Sequence, residues 1–107
     1  MGYTLKSGLS KTMIHQVVSE FVSIELPPVR QCEFRRFRNT YNLSTHDVDG
    51  VYYEIHFRVW GGYARIYVSR FEYIPEDDRY FEQCLDGSAA VVPFEYLQEH
   101  GLLREVA

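Results

Sequence analysis

Residues 51 to 73 read VYYEIHFRVWGGYARIYVSRFEY, and the reading of this stretch decides the fold. Val51, Tyr53, Ile55, Phe57 and Val59 alternate with Tyr52, Glu54, His56, Arg58 and Trp60, the two-residue period of a strand with one buried face. After Gly61-Gly62 the parity switches, so that Ala64, Ile66 and Val68 are apolar and Tyr63, Arg65, Tyr67 and Ser69 lie between them. A two-residue Gly-Gly turn tolerates the positive φ that tight hairpins require and sets Trp60 opposite Tyr63. The register then places Val59 against Ala64, Phe57 against Ile66 and Ile55 against Val68. Every pair is apolar, so turn chemistry and hydrophobic pattern agree. On the other face Arg58 meets Arg65, His56 meets Tyr67, Glu54 meets Ser69 and Tyr52 meets Phe71. Two arginines directly opposite repel mildly unless something anionic lies between them.

Outward toward the N-terminus, a plain two-residue turn centred on Asp49-Gly50 puts Leu43 and Tyr41 on the charged face. A three-residue loop with Gly50 left-handed and a bulge instead pairs Leu43 with Ile55 and Tyr41 with Phe57. The non-core face of the resulting meander is written as rows: Arg38, Trp60 and Tyr63; Thr40, Arg58 and Arg65; Asn42, His56 and Tyr67. Arg36 extends this face. The doublet Arg35-Arg36 between Phe34 and Phe37 predicts a second bulge if both rings are buried.

Further out, Met13, Ile14, Val17, Val18, Phe21 and Ile24 fall on one helical face, with Ser10 as N-cap and Pro27-Pro28 ending the helix near Leu26. After Tyr73, Pro75-Glu76-Asp77-Asp78 reads as a helix start, because proline suits the first turn and acids complement the positive end of the helix dipole. Tyr80, Phe81, Cys84 and Leu85 form its expected stripe, and Asp86-Gly87 stops it. Ser88 to Val92 has the length of an edge strand. Pro93 opens a last short helix, Phe94 to His100, closed by Gly101. The expected architecture is a single compact α+β domain over residues 1–107. Its N-terminal helix packs on a three- to four-stranded antiparallel meander, and two short C-terminal helices follow.

At 107 residues, with 46% hydrophobic and 24% charged residues, the composition is that of an ordinary globular domain and excludes global disorder. No apolar run reaches membrane-span length and no secretory segment follows Lys6, which points to a cytoplasmic protein without a membrane partner. Cys32 and Cys84 fit no metal spacing and are expected as buried thiols. His46-Asp47-Val48-Asp49-Gly50 reads as a turn, since Arg58 stands where a calcium loop needs its terminal Glu.

Net charge is −4, but residues 30 to 70 carry +3 and residues 71 to 107 carry −7. Nine of the eleven basic residues are Arg, the side chain suited to bidentate or stacked recognition. Arg36, Arg38, Arg58 and Arg65, with the flat surfaces of His56, Trp60, Tyr63 and Tyr67, form the candidate binding face. Glu72, Glu76, Asp77, Asp78, Glu82 and Asp86 form a candidate acidic edge that imitates a nucleic-acid backbone if it is exposed. The competing arrangement folds the acidic helices over the arginines.

No phosphate loop, nucleotide motif or activated nucleophile is present, so no catalytic residue, metal or cofactor is assigned. The expected function is a non-enzymatic protein-binding domain of inhibitor or adaptor type, monomeric or homodimeric, whose partner is another protein, a nucleic-acid-handling one included. Single-stranded RNA or DNA binding on the same face is the alternative, and a small enzyme acting on an anion the third.

Overall fold

The computed structural model describes residues 2–6, 8–38, 40–60, 63–85 and 90–106, with Trp60 described by its backbone alone. The elements in chain order are β1 (Gly2–Leu5), α1 (Lys11–Phe21), a 3₁₀ turn (Val29–Gln31), β2 (Cys32–Phe37), β3 (Thr40–Thr45), β4 (Val51–Trp60), β5 (Tyr63–Ile74), β6 (Arg79–Cys84), β7 (Ala90–Val92), α2 (Phe94–Glu99) and β8 (Leu103–Val106). Strands β2-β3-β4-β5-β6 lie side by side, all antiparallel, and β7 joins the free edge of β5. A separate two-stranded sheet pairs β1 with β8.

The α+β expectation does not hold. With 53% of the described residues in strands and 21% in helices, the fold is mostly β, and its sheet is wider than a three- to four-stranded meander.

The central register is as expected. Trp60 pairs with Tyr63, Phe57 with Ile66 and Ile55 with Val68, while Leu43 pairs with Ile55 and Tyr41 with Phe57. Gly61 and Gly62, the expected turn, lie outside the described residues. At the other turn the expected register holds, but the three-residue loop expected to set it does not form. Val48 and Val51 exchange backbone hydrogen bonds around Asp49 (φ 54°) and Gly50 (φ 83°), a two-residue turn of mirror-image type. The pairing then slips by one residue before Ser44 meets Glu54, so the bulge lies at residues 45–47 rather than in the loop. Thr45 Oγ1 accepts the Tyr53 N–H at 2.9 Å there.

The second bulge, at Arg35-Arg36, is absent. Phe34 pairs with Leu43 and Phe37 with Thr40 in unbroken alternation, which leaves Phe37 74% exposed. A regular ladder here keeps the backbone hydrogen bonds at the cost of one exposed ring.

Helix α1 starts as read, with the Ser10 side chain accepting the Met13 N–H at 3.2 Å. It ends at Phe21, five residues before the expected Leu26. Val22 turns extended, and Ile24 and Leu26 still reach the core from the extended chain. Ile14, Val17 and Val18 are buried with Leu43, Ile55, Phe57 and Ile66 in one apolar cluster. Each such side chain stabilises the fold by about 1.5–3 kcal/mol.

The expected acidic helix after Pro75 is a hairpin. Pro75 to Asp78 form the turn, in which Asp77 N–H bonds the Ile74 carbonyl and Asp78 takes φ 50°. β6 then runs back along β5, pairing Tyr80 with Tyr73 and Glu82 with Phe71. Proline at the second position of a turn and at the first turn of a helix are equally good chemistry, and the long free edge of β5 decides for the strand. The last helix is where it was expected, and Gly101 at φ 68° closes it with Leu102 N–H on the Leu97 carbonyl.

Candidate functional site

The sheet has an apolar face, covered by the core, and a polar face whose side chains follow from the register. Across it run Phe37, Thr40, Arg58, Arg65 and Val91 in one row. Arg35, Asn42, His56 and Tyr67 make the next, and Glu33, Ser44, Glu54, Ser69 and Cys84 the third. Beyond them Tyr52, Phe71 and Glu82 share a row.

Of the expected binding residues, His56, Arg58, Tyr63, Arg65 and Tyr67 therefore share this face. Thr40, His56, Arg58 and Tyr67 line a cleft of about 290 Å³. Arg58 is exposed; its opposite number Arg65 lies half-buried, with its guanidinium 5.8 Å from the Tyr63 ring centre and its Nε buried without an acceptor among the described residues. A hydrogen bond to Tyr67 favours the charged Arg65. The Trp60 backbone takes its expected place opposite Tyr63, and its side chain lies outside the described atoms.

Two arginines are misplaced by the sequence reading. Without the second bulge, Arg36 pairs with Tyr41 and stands on the opposite side of the sheet, 5.6 Å from the Tyr41 ring centre. Arg38 leaves the ladder altogether and sits in the turn after β2 at φ 56°, 5.5 Å from the Phe37 ring centre. Arg35 and Phe37 take their places on the polar face. Strict alternation from Phe34, without the assumption that both rings are buried, finds them.

Of the two acidic helices that the competing arrangement folds over the arginines, the first does not form, since residues 79–84 lie in the plane of the sheet as β6. Its carboxylates do not form one edge either. Glu72 faces the other side and pairs with Arg70 at 3.5 Å, Glu82 stands on the polar face, and Glu76, Asp77 and Asp78 occupy the turn. Asp86 lies outside the described residues.

The polar face is nonetheless acidic at its far end. Glu33, Asp47 and Glu54 outnumber Arg35 in a cleft of about 300 Å³ that His46, Tyr52 and Tyr80 also line. Tyr52 stacks on Phe71, ring centres 4.8 Å apart, and meets Tyr80 edge-on at 5.0 Å. Burial, then Glu54, Glu82 and Asp47, push the Tyr52 phenol up. His56 Nε2 lies 3.7 Å from Glu54, between the two ends. At about 3.4 Å per residue, the Arg58 and Glu54 rows are about 14 Å apart, further than the ~8 Å screening length of physiological salt, so the two ends act as separate patches.

Asp47 serves the turn, its Oδ1 accepting the Gly50 N–H at 2.8 Å. Among the described residues no three His, Cys, Asp or Glu side chains group as metal ligands, and no helix is long and apolar enough to cross a membrane. No protein-family model matches this sequence, and the comparisons with curated proteins and with solved structures found no significant match.

Proposed function

We propose that this chain is a non-enzymatic protein-binding domain of inhibitor or adaptor type, which engages its partner with the polar face of the six-stranded sheet. One observation carries the reading: that face is basic at the Arg58 and Arg65 end, acidic at the Glu33 and Glu54 end, and edged by exposed apolar side chains. Phe37, Tyr63 and Val91 are 74%, 39% and 50% exposed and flank the arginine pair. Arginine set among apolar and aromatic groups is the composition of an interface hot spot. The partner surface is accordingly two-signed, with carboxylates facing the arginines and cations facing Glu33 and Glu54.

The single-stranded nucleic-acid alternative draws on the same arginines with Tyr63, Tyr67 and His56 as stacking surfaces. A strand running along the hairpin meets carboxylates within four residues of Arg58, and this favours the protein reading. A cytoplasmic setting fits the two free cysteines.

The test is a pull-down with two charge-reversed variants, Arg58→Glu/Arg65→Glu and Glu33→Lys/Glu54→Lys, beside the unaltered chain. A protein retained by the unaltered chain and lost by both variants is the expected result. Labelled oligouridylate or oligothymidylate provides the counter-test by anisotropy. Binding that falls steeply with salt and is lost in the arginine variant alone overturns the protein reading in favour of the alternative.

A further inference from the structure

On the opposite side of the molecule, where the β1–β8 pair meets the hairpin of β2 and β3, a cleft of about 240 Å³ is lined by Lys6, Arg36, Arg38 and Arg104, with Thr4 and Tyr41. The four cations come from separate places in the chain. Lys6 follows β1 and is held by its N–H on the Leu102 carbonyl at 2.9 Å; Arg104 sits in β8 opposite Thr4. Arg36 comes from β2 and Arg38 from the turn beyond it.

All four are exposed, and among the described residues none forms an ion pair and no carboxylate lines the cleft. The chain carries fifteen acids, so the lack of any here is a feature of this place rather than of the composition. Gathering like charges without a counter-charge is unfavourable, and an anion reverses the sign of that contribution. Arg38 adds to it by holding φ 56°, a conformation that Gly, Asn or Asp adopts at less cost than a long side chain.

We propose that this cleft binds the phosphoryl groups of an oligophosphate, free or as the tail of a nucleotide. Planar guanidinium forks from Arg36, Arg38 and Arg104 match phosphate oxygens in pairs, and Lys6 supplies a point charge. The volume is below the ~300–1,000 Å³ usual for whole organic ligands, so the cleft holds charged groups and not a base. Among the described residues Tyr41 is the one ring in its wall; it is 2% exposed and already lies beneath Arg36, so it offers no stacking surface. The site shares no residue with the polar sheet face, and each assignment stands or falls without the other.

The experiment is calorimetric titration of the full chain with inorganic triphosphate at low and at physiological salt. One saturable site that weakens with salt is expected. Arg36→Ala/Arg104→Ala should weaken it about tenfold or more, the scale of lost charge-assisted hydrogen bonds. Arg36→Lys/Arg104→Lys keeps the charge and removes the forks, so partial binding by this variant supports the geometry and guards against a folding defect in the alanine pair. Arg58→Ala/Arg65→Ala should bind like the unaltered chain. A nucleoside triphosphate should bind within about threefold of triphosphate, because the base gains no contact. Absence of a saturable site at low salt overturns the proposal. So does loss of binding in the Arg58/Arg65 variant alone, or a strong preference for the nucleotide.

Discussion

Tyr80 on β6 donates its hydroxyl hydrogen to the carboxylate of Asp47, a residue of the β3–β4 connection thirty-three positions earlier in the chain. The other oxygen of that carboxylate accepts the Gly50 N–H, so a single side chain ties the hairpin turn to the outermost strand of the sheet. Tyr73 is held in the same manner by Asp78.

These contacts should make the protein's stability depend on alkaline pH. Ionising Tyr80 or Tyr73 places a phenolate against a carboxylate, and the hydrogen bonds to Asp47 and Asp78 push both phenols above their ordinary 10.0. Burial, and then the nearby Glu20 carboxylate, push Tyr96 up to about 12. A phenol raised in the folded state contributes stability that is complete below the unfolded value and is lost as pH climbs through the folded one. Stability should therefore be flat through neutral pH and fall above pH ~10. Phenolate absorbance followed beside far-UV circular dichroism checks this, with Tyr80→Phe expected to remove one late-titrating group. Titration of every tyrosine in one step near the ordinary value, with the fold intact, would contradict it.

The centre of the sheet was legible because its information is local. Ile55, Phe57, Ile66 and Val68 alternate with polar residues, and the Gly61-Gly62 pair in the sequence between the two runs indicates which of them meet. The outer elements were not. Pro75-Glu76-Asp77-Asp78 serves a helix start and a turn equally well, and only the unpaired half of β5 selects the turn. β1 and β8 are four residues each from opposite ends of the chain, and neither has a pattern long enough to announce the other. For the candidate site the rule was right and one added assumption was wrong. Requiring both Phe34 and Phe37 to be buried moved Arg36 onto a face that Arg35 occupies.

Ile55 is completely buried on the core face, whereas Glu54 beside it stands on the polar face with its side chain 31% exposed. Ile55→Ala should cost about 2–5 kcal/mol and Glu54→Ala well under 1 kcal/mol, read from denaturant midpoints. Equal small losses would mean that the faces are inverted.

The turn at Asp49-Gly50 requires left-handed backbone at both positions, φ 54° and 83°. A side chain at residue 50 also meets the Tyr73 Cβ at 3.6 Å, an ordinary contact, so the conformation and not crowding sets the cost. Gly50→Ala should destabilise by about 1–2 kcal/mol, while Asp49→Asn should stabilise by a few tenths of a kcal/mol. Thermal denaturation of the two variants distinguishes this turn from a longer loop with only one left-handed residue, in which Asp49→Asn has no effect.

The cysteines differ more than their spacing suggests. Cys32 is 2% exposed, and burial pushes its thiol up despite the opposing influence of Lys11; Cys84, expected buried, is exposed on β6. A disulfide reagent should find one fast thiol in the native protein and the second only on unfolding, since the thiolate is the reactive form. Cys84→Ser should remove the fast phase and leave stability nearly unchanged. Two equally fast thiols would place β2 at the surface.

Arginine-selective modification read by mass spectrometry examines both faces at once. Arg35, Arg36, Arg38 and Arg58 are exposed, whereas Arg65 is half-buried with its Nε enclosed. The first four should label rapidly and Arg65 several-fold more slowly, because the dicarbonyl reagent must reach the guanidinium nitrogens from solvent. Added triphosphate should protect Arg36 and Arg38 and leave Arg58 labelling unchanged, as their places in separate clefts require. Protection of Arg58 in the absence of any ligand would show that a second copy or another segment covers the polar face, and gel filtration of the same sample would separate these two cases.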